Sequence, residues 1–233
     1  MTKRAAPVVL VSGGNRGIGF EACRSLLAKG ATVLLGSRKL SDGERAAKEL
    51  SKSGTAIPLA LDVADDKSVA AARAKVLKDF GALDVLVNNA GVYLDEQNDA
   101  LSVSEDVIER TLQTNLLGAW RLVRAFAPAM VEKKRGRIVN VSSGLGAITS
   151  MSGGTPSYRV SKTALNALTL VLSAELSPAG ISVISFCPGW VATDMGGKNA
   201  PRTPKSAGEA LAIAALEDSR TGVFVRDGQV IPW

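Results

Sequence analysis

Short, unbroken apolar runs recur along this chain, and a segment with helical spacing follows each one. Val8 to Val11 is the first such run, four apolar residues that stop at Ser12-Gly13-Gly14. A strand that shows water neither face reads as a continuous apolar run rather than an alternation, and that is the mark of a parallel sheet covered on both sides. Further strands are expected at Ala31–Leu35, Ala56–Leu61, Leu83–Val87, Arg137–Val141, Ile181–Phe186 and Gly222–Val225. Helices are expected over Arg16–Lys29, Asp42–Ser53, Asp65–Phe80, Ser104–Lys134 (bent near Pro128), Ser157–Leu176 and Ala207–Leu216. Strand and helix alternating in this way predict an α/β fold, a doubly wound, mostly parallel seven-stranded sheet with helices on both faces. At 233 residues, with no internal repeat or linker, the chain reads as a single domain. Two long irregular stretches, Gly144–Pro156 and Gly196–Lys205, follow strand C-termini, the edge where an open α/β sheet binds its ligands.

Composition removes several function classes. The chain has no histidine, which excludes Ser-His-Asp and Cys-His hydrolysis and histidine-ligated metal sites, so no metal is expected. Cys23 and Cys187 stand alone, make no disulfide framework and point to a reducing, cytoplasmic compartment. The basic start, Met1 to Pro7, runs into a strand rather than a secretory leader, and no apolar stretch is long enough to span a membrane. The net charge of +6 raises nucleic acid as a partner, but the basic residues are scattered and aromatics make up only 4%. The densest basic run, Lys133 to Arg137, is expected at a helix C-terminus, where cations complement the dipole.

The first strand-to-helix connection is Ser12-Gly13-Gly14-Asn15-Arg16-Gly17-Ile18-Gly19. Glycines at 13, 17 and 19 allow a tight turn and a close approach of backbone to a pyrophosphate at the helix N-terminus. An NAD site places an acid about 20 residues further on, at the ribose 2′-hydroxyl. Here that region reads Gly36-Ser37-Arg38, with an arginine in place of the carboxylate. A guanidinium there, with Arg16 in the turn itself, pairs with a 2′-phosphate and selects NADP(H); the alternative for each is a solvated surface arginine. Asp62, ending the third strand, either meets the adenine amino group or caps the next helix, a role that Asp65 fills better.

Tyr158 and Lys162 lie four residues apart at the start of a helix, on one face. An ammonium about 4 Å from a phenol favours the phenolate by about 4 kcal/mol at an effective dielectric of 20, enough to lower its pKa by about three units. Upstream, Ser142-Ser143 ends one strand, Asn88-Asn89-Ala90-Gly91 ends another, and Thr114-Asn115 lies in the long helical region.

Taken in order, the glycine turn, Asn-Asn-Ala-Gly, Asn115, Ser142-Ser143 and Tyr158-x-x-x-Lys162 resemble the short-chain dehydrogenase/reductase family over nearly the whole chain. Cys187 to Met195 and the segment Asp227 to Trp233 resemble its carbonyl-reductase branch. The resemblance implies a Rossmann fold and an NADP(H)-dependent oxidoreductase acting on a small carbonyl or alcohol. Tyr158 becomes the general acid or base, Lys162 its partner and the holder of the nicotinamide ribose, Ser143 the group that polarises the carbonyl, and Asn115 the holder of a relay water. Gly13, Asn15, Arg16, Gly17, Ile18 and Gly19, with Arg38, Asp62, Val63, Asn89, Ala90 and Gly91, become the pyrophosphate and adenosine side of the cofactor site. Pro188, Val191 and Thr193 become the carboxamide side. The helix Ser157–Leu176, apolar nearly all round, implies a homodimer or homotetramer, the alternative being simple internal burial. A non-enzymatic NADP(H) sensor is the competing reading. For substrate, Lys198 and Arg202 raise the choice between an anionic compound and mere solvated loop charge.

Overall fold

The computed structural model describes residues 6–233, so Met1 to Ala5 of the basic start lie outside the described residues. Strands and helices follow one another as β1 (Val8–Val11), α1 (Gly17–Ala28), β2 (Thr32–Ser37), α2 (Leu40–Leu50), β3 (Ala56–Ala60), α3 (Asp66–Phe80) and β4 (Val85–Asn88). Then come α4 (Glu105–Leu112), α5 (Gly118–Glu132), β5 (Gly136–Val141), α6 (Pro156–Leu176), β6 (Ile181–Phe186), α7 (Pro204–Leu216), β7 (Val223–Arg226) and β8 (Gln229–Val230). The strands form one sheet in the order β3-β2-β1-β4-β5-β6-β7-β8, parallel throughout except for the β7–β8 pair. Strand order reverses between β1 and β4, and the glycine turn opens at that switch point.

Side-chain alternation divides each strand between two cores. Val9 and Val11 pack under α1, α2 and α7 with Cys23, Leu26, Leu50 and Leu211. Leu10 turns the other way, to Val76 of α3, Leu122 and Phe126 of α5 and Leu165 of α6. Both faces are therefore sealed, as the unbroken apolar strands require.

Several element ends shift by one to three residues, as in α2, which runs Leu40–Leu50 rather than Asp42–Ser53, and three differences have a plain physical cause. The sheet has eight strands rather than seven, because Asp227-Gly228, both at positive φ, turn β7 back onto the two-residue β8. Two residues carry too little pattern to announce a strand. The long helical region is interrupted at Gln113–Leu117 by a π turn, not merely bent at Pro128, which sits inside α5. At this turn the Asn115 carboxamide pairs both ways with the Val92 backbone, accepting from its N–H at 2.8 Å and donating to its carbonyl at 3.0 Å. Helix α7 starts at Pro204 rather than Ala207, with Thr203 accepting from the Ser206 N–H and proline at the first helical position. The basic run does end a helix: Lys133 caps α5, Arg135 pairs with Asp84, and Arg137 donates to the Ser182 hydroxyl and the Ala215 carbonyl.

Candidate active site

The glycine turn is held from below by side chains. Asn89 Nδ2 donates to the carbonyls of Ser12 (2.9 Å) and Gly13 (3.1 Å), and the Ser12 hydroxyl accepts from the N–H groups of Asn89 and Ala90, each at 3.0 Å. A Cβ on Gly19 would stand 2.4 Å from the Gly13 carbonyl oxygen, so the turn cannot close around any larger residue. Gly17 has φ +57°, and a Cβ there would project toward Thr193, 3.5 Å away, into the gap between the turn and the segment after β6. No side chain caps α1 and no acid lies in its first turn, so its leading N–H groups stay open to an anion. These features fit the pyrophosphate of a dinucleotide. Asn89 braces the turn.

The two arginines differ. Arg38 is exposed at the C-terminal end of β2 and makes no ion pair among the described residues, which suits a 2′-phosphate. Arg16 pairs with Asp194 at 2.6 Å, with both side chains largely in solvent, and so ties the glycine turn to the segment after β6. Asp62 accepts from the Ala64 N–H at 2.9 Å, while Asp65 caps α3. Val63 is buried against Gly118, where a Cβ would come within 2.7 Å of its methyl.

On the other side of the switch point, Tyr158 and Lys162 are both buried, at 8% and 4% exposure, in the first turns of α6. The Lys162 ammonium donates to the Val141 carbonyl at 2.9 Å and lies 5.7 Å from the centre of the Tyr158 ring. The expected lowering of the phenol is not found. Burial pushes Tyr158 up to about 12 against the opposing effect of a hydrogen bond with Ser143, and burial brings Lys162 down to about 8. The ammonium is bonded to a backbone carbonyl instead of the phenol, and burial is the largest cause of the shift at both groups. Ser142 and Ser143 separate cleanly: Ser142 donates to the Lys162 carbonyl, whereas Ser143 turns toward the phenol. The Asn115 side chain donates to the Val92 carbonyl and the Ser161 hydroxyl and accepts from the Val92 N–H, which leaves one lone pair of Oδ1 unused by these bonds.

Several groups here have no counterpart in the sequence reading. Asp95 is fully buried and accepts from the Ser157 N–H (2.7 Å), the Ser157 hydroxyl (2.6 Å) and the Tyr158 N–H (3.2 Å). It caps α6 from 62 residues upstream, because Thr155, in the left-handed region, offers no cap of its own. Tyr93 meets Tyr158 edge-on at 4.9 Å. A buried chain of hydrogen bonds runs from Asn88 to Asn140, Thr169, Ser185 and Asn166, and ends on the Gly146 carbonyl in the turn that carries Ser143. A cleft of about 610 Å³ opens above these residues, lined by Ile18, Tyr93, Ser143, Tyr158, Trp190 and Arg226 among others. Pro188, Val191 and Thr193 form its far wall. Among the charged loop residues, Arg202 is spent on Asp227 (2.6 Å) and the Pro188 carbonyl, and Lys198 is not on the lining. No helix among the described residues is long and apolar enough to cross a membrane.

The arrangement has relatives. The short-chain dehydrogenase "anuI" of Penicillium roqueforti is 31% identical over 94% of this chain and 92% of its own length. The 3-oxoacyl-(acyl-carrier-protein) reductase FabG of Escherichia coli is 34% identical over 81% of this chain and 75% of its own. Among solved structures, an NADPH-bound carbonyl reductase from chicken fatty liver superposes with a TM-score of 0.87 and 30% identity, covering 99% of this chain and 100% of that one. Residues 7–203 match the short chain dehydrogenase family, and the chain, with its doubly wound sheet, glycine turn and buried tyrosine–lysine pair, belongs to it.

Proposed function

We propose that this oxidoreductase reduces the carbonyl of an aldehyde, ketone or quinone to an alcohol at the expense of NADPH, with Tyr158 as the proton donor. One observation carries the reading: the Tyr158 phenol, buried above Lys162, shares the lining of an open cleft with Ser143. At neutral pH such a phenol keeps its proton at Oη and is poised to deliver it to a carbonyl oxygen; the Ser143 hydroxyl orients that oxygen. Gly13, Gly17, Gly19 and the open end of α1 would hold the cofactor's pyrophosphate, Arg38 and Arg16 its 2′-phosphate, and Asp62, Val63 and Asn89 to Gly91 its adenosine half. Pro188, Val191 and Thr193 would hold the carboxamide, and Lys162 with Tyr158 the second ribose. When bound, the dinucleotide supplies the hydride for the carbonyl carbon. Asn115 fixes Val92 and Ser161 around Lys162 and would hold the relay water behind Lys162.

Val160 at 58% and Val171 at 51% exposure form an apolar stripe on α6, and Trp120 of α5 is exposed as well. This supports pairing of copies through these helices, as a homodimer or homotetramer. Two free, buried cysteines support a reducing compartment, the cytoplasm.

The test is NADPH oxidation, followed by its near-ultraviolet absorbance over a panel of aldehydes, ketones and quinones. Tyr158→Phe is expected to lose at least about 10²-fold in kcat, the scale of a lost general acid. Arg38→Ser is expected to raise KM for NADPH by about tenfold or more while leaving NADH use unchanged. Tight NADPH binding with no turnover of any member would overturn the reductase reading in favour of a cofactor sensor.

A further inference from the structure

The β7–β8 hairpin carries a cation into the cleft that the reaction as described does not use. Alternation along β7 puts Arg226 on the same face as Phe224, which packs with Ala147 and Cys187, and so aims it at the turn that carries Ser143. Nη2 reaches to 2.7 Å from where a Cβ on Gly144 would stand, next to Ser143. A side chain at 144 would displace the guanidinium, so the glycine opens the space that Arg226 enters. Nε and Nη2 donate to the Cys187 sulfur at 3.2 and 3.0 Å. A thiol is a weak acceptor for a guanidinium. No carboxylate pairs with Arg226 among the described residues; the neighbouring Asp227 is committed to Arg202, and the acid on the cleft lining, Glu96, is exposed. Nη1 has no hydrogen-bond partner among the described residues, and it is not among the buried unpaired atoms, so it faces the opening.

A half-buried guanidinium, fixed by a hairpin and lacking a counter-charge, is the complement of a carboxylate. We infer that Arg226 is a specificity-determining residue that binds the carboxylate of an anionic carbonyl substrate, an oxo acid, while Ser143 and Tyr158 take its carbonyl. This rests on the reductase reading and narrows its substrate class. It also shifts the choice of anion-binding group from the loop residues Lys198 and Arg202 to a residue at the end of a strand.

The experiment compares each acid with its own methyl ester, 4-formylbenzoate and 4-oxopentanoate being the probes, in wild type, Arg226→Met and Arg226→Lys. Intrinsic carbonyl reactivity cancels when the acid-to-ester ratio of kcat/KM is compared between variants. That ratio is expected to fall about 10- to 100-fold in Arg226→Met, the range for a hydrogen bond to a charged group, and by less in Arg226→Lys, which keeps the charge but not the fork. Calorimetric binding of the unreactive 4-methylbenzoate and 4-methylbenzamide gives a readout independent of turnover. Turnover with an unchanged ratio overturns the inference and leaves the reductase reading intact. Carboxylate binding that depends on Arg226 without turnover upholds the anion site and overturns the reductase reading. Binding that is indifferent to Arg226, with no turnover, overturns both.

Discussion

Removing the charge of Lys162 tests whether this site carries the stability penalty that its burial implies. The ammonium is 4% exposed, its one hydrogen bond among the described residues goes to the Val141 carbonyl at 2.9 Å, and burial brings its pKa from 10.5 to about 8. That displacement corresponds to about 3 kcal/mol disfavouring the charged form in the folded protein. Between pH 8 and 10.5 the unfolded chain holds the proton and the folded one does not, so stability rises with pH across this window. Below it, the penalty is present in full. Lys162→Met keeps the apolar stem and removes the titration, at the expense of an unpaired Val141 carbonyl. Urea unfolding of the cofactor-free protein at pH 7, 8, 9 and 10 gives the comparison. The wild type is expected to gain about 2 kcal/mol relative to Lys162→Met between pH 7 and 10. The lost hydrogen bond offsets the two curves by a constant and does not alter the difference in slope. Parallel curves would refute the reasoning, because they would mean that the buried amine keeps an ordinary pKa.

Two further outcomes follow from the geometry. Asp95→Ala strips the Ser157 and Tyr158 N–H groups of their acceptor and is expected to destabilise the protein by about 2 kcal/mol in urea unfolding. It should also lower kcat with KM for NADPH little changed, and Asp95→Asn, which keeps an accepting oxygen, should do less on both counts. Gly19→Ala drives a Cβ to 2.4 Å from the Gly13 carbonyl oxygen, and a fluorescence titration is expected to show NADPH affinity reduced by about tenfold or more.

The fold was legible because its strands are buried on both faces. Ile181–Phe186 reads off the sequence to the residue, since nothing in that run competes with a strand. The glycine turn was legible for a related reason: its chemistry is local, with strand, turn and helix in one stretch. What escaped is long-range. Asp95 lies in a segment of no periodicity, and the helix it caps begins some sixty residues later, so no spacing rule connects them. Arg226 sits one residue past the last apolar position of its strand, where the apolar run stops marking the face. The direction of the Tyr158 shift escaped as well, because an i, i+4 pair states that two groups share a helix face and not which of several acceptors the ammonium will choose. Thr203-Pro204 is different: a cap followed by proline was readable, and it moves the start of α7 by three residues.

The hydrogen-bond chain from Asn88 to the Gly146 carbonyl bears on how such a sequence can drift. Each of its five side chains is hydrogen-bonded to the next, from β4 through β5 and α6 to β6 and back, with none exposed. Replacing Asn140 alone by an apolar residue orphans the Asn88 amide and takes one partner from the Thr169 hydroxyl, whereas replacing all five would leave a dry, packed seam. The intermediate sequences are therefore worse than either end. The path between the two solutions crosses a barrier in sequence space, and single substitutions at these positions should be rejected in a deep mutational scan even where the reversed or combined changes are accepted.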